Sequence, residues 1–173
     1  MARFILLAVT SADGFIARNA DQHSFSWSSK EDQRHFLAMM GQMDLSIIGR
    51  ASYDLHEEEM RKYPCLCLTG KVTAPQKVHD TLTLVNPAHT PLADLVAHSG
   101  AQQIAVLGGA QVYSTCMNAG LVDEVYQTIE PIYFGSGISL FGGLELPSEL
   151  SLVSIKQLNE RGTLLAHYQR NKR

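Results

Sequence analysis

Apolar and polar positions divide this chain into short, alternating segments. Residues 3–10, RFILLAVT, form a nearly continuous apolar run, which predicts a strand buried on both faces. Residues 11–27 are polar, contain glycine and read as a long loop. The period then changes. Phe36, Leu37, Met40 and Met43 fall at helical spacing, which predicts a helix over 28–42 with that stripe buried. Ser28 and Glu31 have the S-x-x-E spacing of a capping box at its start. Asp32 precedes Phe36 by one helical repeat, so a carboxylate heads the apolar stripe.

The alternation continues. DLSIIG (44–49) reads as a short buried strand and RASYDLHEEEM (50–60) as a helix. PCLCLTG (64–70) and TLTLVN (81–86) read as strands. TPLADLVAHSG (90–100) has a Thr cap, a Pro near its first helical position and a terminal Gly, as a helix should. QIAVLGG (103–109) is a strand ending in a glycine pair, and AQVYSTCMNAG (110–120) a helix ended by Gly120. VDEVYQTIEPIYF (122–134) is a long strand, and residues 150–169 read as two β segments joined near ERG, a hairpin. Alternating strands and helices predict an α/β fold: a mostly parallel sheet covered on both faces, with antiparallel strands at one edge supplied by the C-terminal third.

Composition narrows this little. The chain has 173 residues, 45% hydrophobic and 18% charged, with a net charge of −3, and is expected to form one domain over 1–173. No basic run points to nucleic acid and no polybasic patch to a membrane surface; the tail YQRNKR is an ordinary basic terminus. No apolar stretch is long enough to span a bilayer. The N-terminal apolar run lacks a small-residue cleavage site and reads as a strand rather than a signal peptide. Cys65, Cys67 and Cys116 give no disulfide framework, and buried apolar thiols are expected rather than a metal site. Together these features predict a cytoplasmic protein.

Three strand ends suggest chemistry. Gly49 and Arg50, then Thr69, Gly70 and Lys71, then Gly108 and Gly109 each stand where a strand turns. Ligands of open α/β sheets bind outside the carboxyl ends of the strands, and glycines let backbone approach a phosphate. Arg50 and Lys71 add positive charge, so a phosphorylated ligand is favoured over glycines that merely make tight turns. The pattern is neither G-x-G-x-x-G nor a P-loop. Asp32 has two readings of equal weight: an exposed first-turn acid complementing the helix dipole, or a buried acid with a raised pKa able to supply a proton. Trp27 is either a hydrophobic staple or a pocket wall. Asp13 reads as a turn residue, and Asp123 and Glu124 as the start of a strand. The seven histidines show no metal spacing, and His35, His56 and His167 are read as solvated or hydrogen-bonded. Ser114 lies in no G-x-S-x-G elbow.

The ordered set SADGFIA, WSSKED-x-x-x-F, IIGRASY, LTGK, VLGGAQVY and LVDEVYQTIEPIYFGSG with LF after it resembles the dihydrofolate reductase-like superfamily. It is most similar to the RibD C-terminal reductases of riboflavin biosynthesis, over nearly the whole chain. The resemblance implies a three-layer α/β/α sandwich and NADPH-dependent reduction. By position, it places Val9, Ile16 and Ala17 along the nicotinamide. Gly49, Arg50, Ala51 and Ser52 match a phosphate-binding turn. Gly108, Gly109, Ala110, Gln111, Val112 and Tyr113 match the cofactor-binding glycine turn, and Thr69, Gly70 and Lys71 the segment holding the 2′-phosphate. Asp32 falls on the substrate-pocket acid, Trp27 on the tryptophan before it, and Thr128 on the threonine bonded to that acid. With Phe36 from the stripe, these form the expected substrate site.

What the resemblance implies is hydride transfer to a pyrimidine- or pterin-like substrate. That is most directly 5-amino-6-(5-phosphoribosylamino)uracil reduction, with dihydrofolate or dihydropterin reduction as the alternative. A catalytically silent NADPH-binding module is the non-enzymatic one. The chain lacks the Asn-x-x-Pro-Trp run of dihydrofolate reductases, and Arg61 and Lys62 are out of register for a folate-tail arginine. It also lacks the T-x-x-x-D-D-P-x-L-x-x-R segment of riboflavin-pathway reductases, which leaves the substrate open. The expected partners are a small-molecule substrate and a second copy of the chain, since relatives are commonly dimers.

Overall fold

The computed structural model describes residues 2–143 and 149–171; the last two residues of the basic tail lie outside them. Its centre is a nine-stranded sheet. Strands β1 (Arg3–Ser11), β3 (Leu45–Gly49), β4 (Cys65–Leu68), β6 (Leu82–Val85), β7 (Gln103–Val106) and β8 (Val122–Glu130) run parallel. Strands β5 (Gln76–His79), β10 (Leu150–Gln157) and β11 (Leu164–Arg170) are antiparallel to their neighbours, in the order β10-β11-β8-β1-β7-β3-β4-β6-β5.

Side chains alternate across this sheet as strand geometry requires. Leu6, Ile47, Ile104 and Val106 fall on one face, under α4 (Leu92–Ser99) and α5 (Ala110–Asn118). Ile5, Leu7, Ile48, Cys65 and Cys67 fall on the other, under α1 (Lys30–Met40), α2 (Arg50–Leu55) and α3 (Glu57–Met60). The result is the expected three-layer α/β/α sandwich. All three cysteines are buried free thiols. Among the described residues, no helix is long and apolar enough to cross a membrane.

Several expectations need correcting. Antiparallel strands close both edges of the sheet, because β5 folds back on β6 as a hairpin. Its sequence, QKVH, is mostly exposed and carries no apolar alternation. The segment 11–27 contains β2 (Phe15–Ala17), which pairs with β9 (Ile138–Ser139), and a single 3-10 turn at Ser24–Ser26. The helix read over 50–60 breaks at His56 into α2 and α3. Helix α4 starts one residue beyond Pro91, which takes the cap position without a side-chain hydrogen bond, so Thr90 is not its cap. Leu37 is exposed; the inner stripe of α1 is Asp32, Phe36 and Met40.

The capping box is also displaced by one residue. Ser29, not Ser28, caps α1, its Oγ accepting the Asp32 N–H at 3.2 Å. Glu31 does not reach back to the cap but accepts from Arg34 and Asn159. The register is set from far away in sequence. Buried Glu130, at the end of β8, accepts the Ser29 N–H at 2.7 Å and the Thr163 hydroxyl at 2.7 Å. Removing one member of a buried, charge-assisted network strands its partners. Glu130→Ala is therefore expected to lower stability by about 2–3 kcal/mol in urea unfolding. A change within experimental error would show that Glu130 does not hold α1.

Candidate active site

A cavity of about 790 Å³ runs along the carboxyl ends of the parallel strands, between the two helical layers. One stretch of its wall is backbone-rich. Gly49 ends β3, and its N–H donates to the Gly108 carbonyl at 2.7 Å. A Cβ on Gly49 would lie 3.2 Å from a Val112 methyl and 3.5 Å from the Gly109 nitrogen, so a side chain there would have to push Val112 aside by a few tenths of an ångström. Gly108 has φ +89°, and a Cβ there would collide with the Tyr113 ring at 2.6 Å. Its peptide bond to Gly109 is cis. The buried Tyr113 hydroxyl donates to the Leu7 carbonyl at 2.7 Å and faces the Leu107 carbonyl at 3.1 Å, tying α5 to β1 and β7. Helices α2 and α5 both begin on this wall with no side chain capping them.

The other stretch is made of side chains. Asp32 is 5% exposed and lines the cavity with Phe36, His35 and Thr128. Burial raises the Asp32 carboxyl above its ordinary pKa; the hydroxyls of Thr128 and Ser28 pull it partly back, and the Glu130 charge pushes it up. Neither hydroxyl makes a bond of full hydrogen-bond geometry with the carboxylate, so burial decides the direction. Of the two readings open from sequence, the inward-facing acid is the one found.

Most sequence-predicted residues meet here. Val9, Ile16 and Ala17 line the cavity with Gly49, Arg50, Ser52, Thr69 and Gly70. So do Gly109, Ala110, Gln111, Val112 and Tyr113, together with Asp32, Phe36 and Thr128. Three do not. Trp27 packs edge-on against Phe134 with ring centroids 4.9 Å apart, away from the wall. Gly108 lies behind the Tyr113 ring. Lys71 is exposed beyond Gly70, its N–H bonded to the Thr69 hydroxyl. Asp13 does turn work, accepting from the Ser11 hydroxyl and from the Phe134 and Gly135 N–H groups, with Ser11 leading in holding its pKa at about 2.

Sequence reasoning did not single out Phe25 or Glu59 and read His35 and His56 as solvated or hydrogen-bonded; all four are on the wall, the two histidines partly buried there. His56 packs at a tilt against His23, ring centroids 3.8 Å apart, and burial, then the His23 charge, press its pKa down to about 4. His35 is lowered by burial and then by Lys156. Spacing could have found His35, which sits one turn from Asp32 on the same helix. His56 stands at a helix break that periodicity does not mark. Among the described residues, no group of three His, Cys, Asp or Glu side chains is placed to hold a metal ion.

Residues 59–164 match the RibD C-terminal domain. The chain belongs to the RibD C-terminal domain family. Over 174 aligned residues it is 26% identical to the uncharacterized protein YwjB of Bacillus subtilis, covering 96% of this chain and 97% of that one. Its structure is similar to that of a putative riboflavin biosynthesis protein from Shewanella sp. PV-4, with TM-score 0.79, 23% identity and coverage of 99% and 100% of the two chains. It is also similar to dihydrofolate reductase from Enterococcus faecalis, solved with NADP(H) and RAB-propyl, with TM-score 0.67, 15% identity and coverage of 98% and 97%. These two structures establish the dihydrofolate reductase-like fold of this RibD C-terminal family member.

The Asp32 environment has a measurable consequence. The raised native pKa means that the folded protein binds this proton more tightly than the unfolded chain. Stability is then lost as pH rises from the ordinary value of 3.8 through the native pKa. Asp32→Asn removes the charge and keeps the shape. It is expected to be more stable than wild type at neutral pH, with the gap closing below pH 3.8, in urea unfolding across pH. An unchanged or lower stability at neutral pH would contradict a penalised carboxylate.

Proposed function

We propose that this chain is an NADPH-dependent reductase of the riboflavin-pathway type, delivering hydride to a pyrimidine- or pterin-like heterocycle. One observation carries the reading: buried Asp32 shares a single cavity with the glycine turns at Gly49 and Gly109. That pairing suits a polar heterocycle at one end and a dinucleotide at the other. The residues present fit the cofactor. The glycine approach leaves backbone bare at the starts of α2 and α5, where phosphate oxygens are favoured. Arg50 adds charge beside them, shared with Asp54 at 2.8 Å.

In this reading Gly109 to Tyr113, Gly49, Arg50 and Ser52 bind the pyrophosphate, and Val9, Ile16 and Ala17 line the nicotinamide. Thr69, Gly70 and the rim residue Lys71 receive the 2′-phosphate. The cofactor supplies the hydride. The chain supplies orientation and exclusion of water, which together account for much of such a rate enhancement. Asp32 holds the heterocycle's N–H groups or the product's proton, and Thr128 keeps its carboxyl aimed at them.

The ribosyl-to-ribityl reduction of 5-amino-6-(5-phosphoribosylamino)uracil is the family's reading, supported by the RibD C-terminal match. Dihydropterin reduction is the second, favoured by Asp32 and Thr128 lining the same cavity. An open cavity beside Asp32 argues against a silent binding module. We place the homodimer contact on edge strand β10, where Leu152, Val153 and Ile155 are exposed.

Asp32→Ala is expected to retain NADPH affinity by fluorescence titration and to lose at least about 100-fold in turnover, followed as NADPH oxidation. Unchanged turnover would remove Asp32 from the mechanism.

A further inference from the structure

We infer that Asp54 competes with the phosphates of the dinucleotide for Arg50, and so sets how tightly the cofactor is held. The inference rests on the reductase reading above and deepens its cofactor site, where Asp54 acts through Arg50.

Arg50 is the first residue of α2, and Asp54 follows it by one turn on the same side of that helix. Their side chains meet at two points. Arg50 Nε donates to Asp54 Oδ2 at 3.0 Å, and Nη2 lies 2.8 Å from Oδ1. Among the described residues, Arg50 is the one lysine or arginine on the cavity wall, and Asp54 stands off the wall behind it. The wall's acids are Asp32 and Glu59. Arg50 therefore carries the wall's positive charge toward a phosphate, beyond what bare backbone N–H groups provide. Glu57 also lies near Arg50, but Arg61 engages it at 2.6 Å. Asp54 is thus the carboxylate that neutralises the guanidinium before any ligand arrives.

Carboxylate and phosphate are bound by the same edges of a guanidinium. A phosphate on the Nε–Nη2 edge must displace Asp54. A phosphate on the far edge sits one guanidinium's width from the Asp54 carboxylate, and the two anions repel. On either edge the carboxylate weakens the hold on the cofactor. The ion pair does little for the fold itself. The Arg50 and Asp54 side chains are 45% and 48% exposed, and exposed pairs of this kind contribute little to stability. For the same reason the contact breaks at small cost, as exchange for a phosphate requires. Removing the Asp54 charge is thus expected to change cofactor binding and leave stability alone.

The test measures NADP+ binding by calorimetry on the full chain, at about 50 mM and about 300 mM salt. It compares wild type with Asp54→Asn, which removes the charge, and Asp54→Glu, which keeps it. Asp54→Asn is expected to bind NADP+ at least about threefold more tightly than wild type at the lower salt, with the gap narrowing at the higher. Its urea unfolding midpoint is expected to match wild type. Asp54→Glu is expected to bind as wild type does. Equal or weaker binding by Asp54→Asn overturns the inference, because the carboxylate would then be idle or would position Arg50 for the phosphate. A gain shared by Asp54→Glu, or one undiminished at the higher salt, overturns it as well, because charge would not be the cause. Any of these results with NADP+ bound by wild type leaves the reductase reading intact. No NADP+ binding by any of the three proteins overturns the reductase reading together with the inference.

Discussion

Glu130 sets where helix α1 begins, and the rest of the site follows from that. The carboxylate sits buried at the end of a central strand and takes the N–H of Ser29 on one side and the hydroxyl of Thr163 on the other. It thereby joins β8, the turn after β10 and the first residue before α1. With Ser29 held, its own hydroxyl caps Asp32 and fixes the rotation of the helix. Asp32, Phe36 and Met40 then face the sheet. A start shifted by one residue would rotate the helix by about 100° and turn Asp32 away from the cavity. The same carboxylate also raises the pKa of the acid it positions. One buried charge thus serves both geometry and electrostatics.

The opposite side of the cavity is set by backbone contact rather than charge. Gly49 and Gly108 meet at 2.7 Å across the ends of β3 and β7, and Val112 fills the space beside them. This contact brings two helix starts to one place and leaves backbone bare on the wall at Gly49 and Gly109. An acid in a dry setting and a bare backbone cradle therefore face each other because the sheet's strands all end there. Holding Asp32 in that setting lowers stability at neutral pH, the usual trade between stability and a poised functional group.

Much of this was legible in the sequence, for physical reasons. Strands β1, β4 and β7 are mostly apolar runs because they are buried on both faces, whereas β8 mixes in polar residues, and Gly108 shows because its φ of +89° and the Tyr113 ring leave no room for a side chain. Helical spacing put Asp32 at the head of the apolar stripe but left it evenly balanced between an exposed and a buried acid. What stayed hidden was decided by tertiary contact. The choice of Ser29 over Ser28 as cap depends on Glu130, on a strand far along the chain. β5 is an exposed edge strand that pairs only because β6 lies beside it, and β2 forms only against β9. Trp27 was expected near the substrate, but Phe134 draws it aside. His56 and Glu59 reached the wall through a helix break that leaves no periodic trace.

The central claim is that Asp32 meets the ring of a heterocycle opposite a dinucleotide seated on the glycine turns. A crystal structure with NADP+ and 5-amino-6-ribosylaminouracil bound together tests it most directly. The account expects ring N–H groups about 3 Å from the Asp32 carboxylate, with the nicotinamide beside Val9, Ile16 and Ala17. A heterocycle bound away from Asp32, or a nicotinamide occupying the Asp32 end of the cavity, would contradict it.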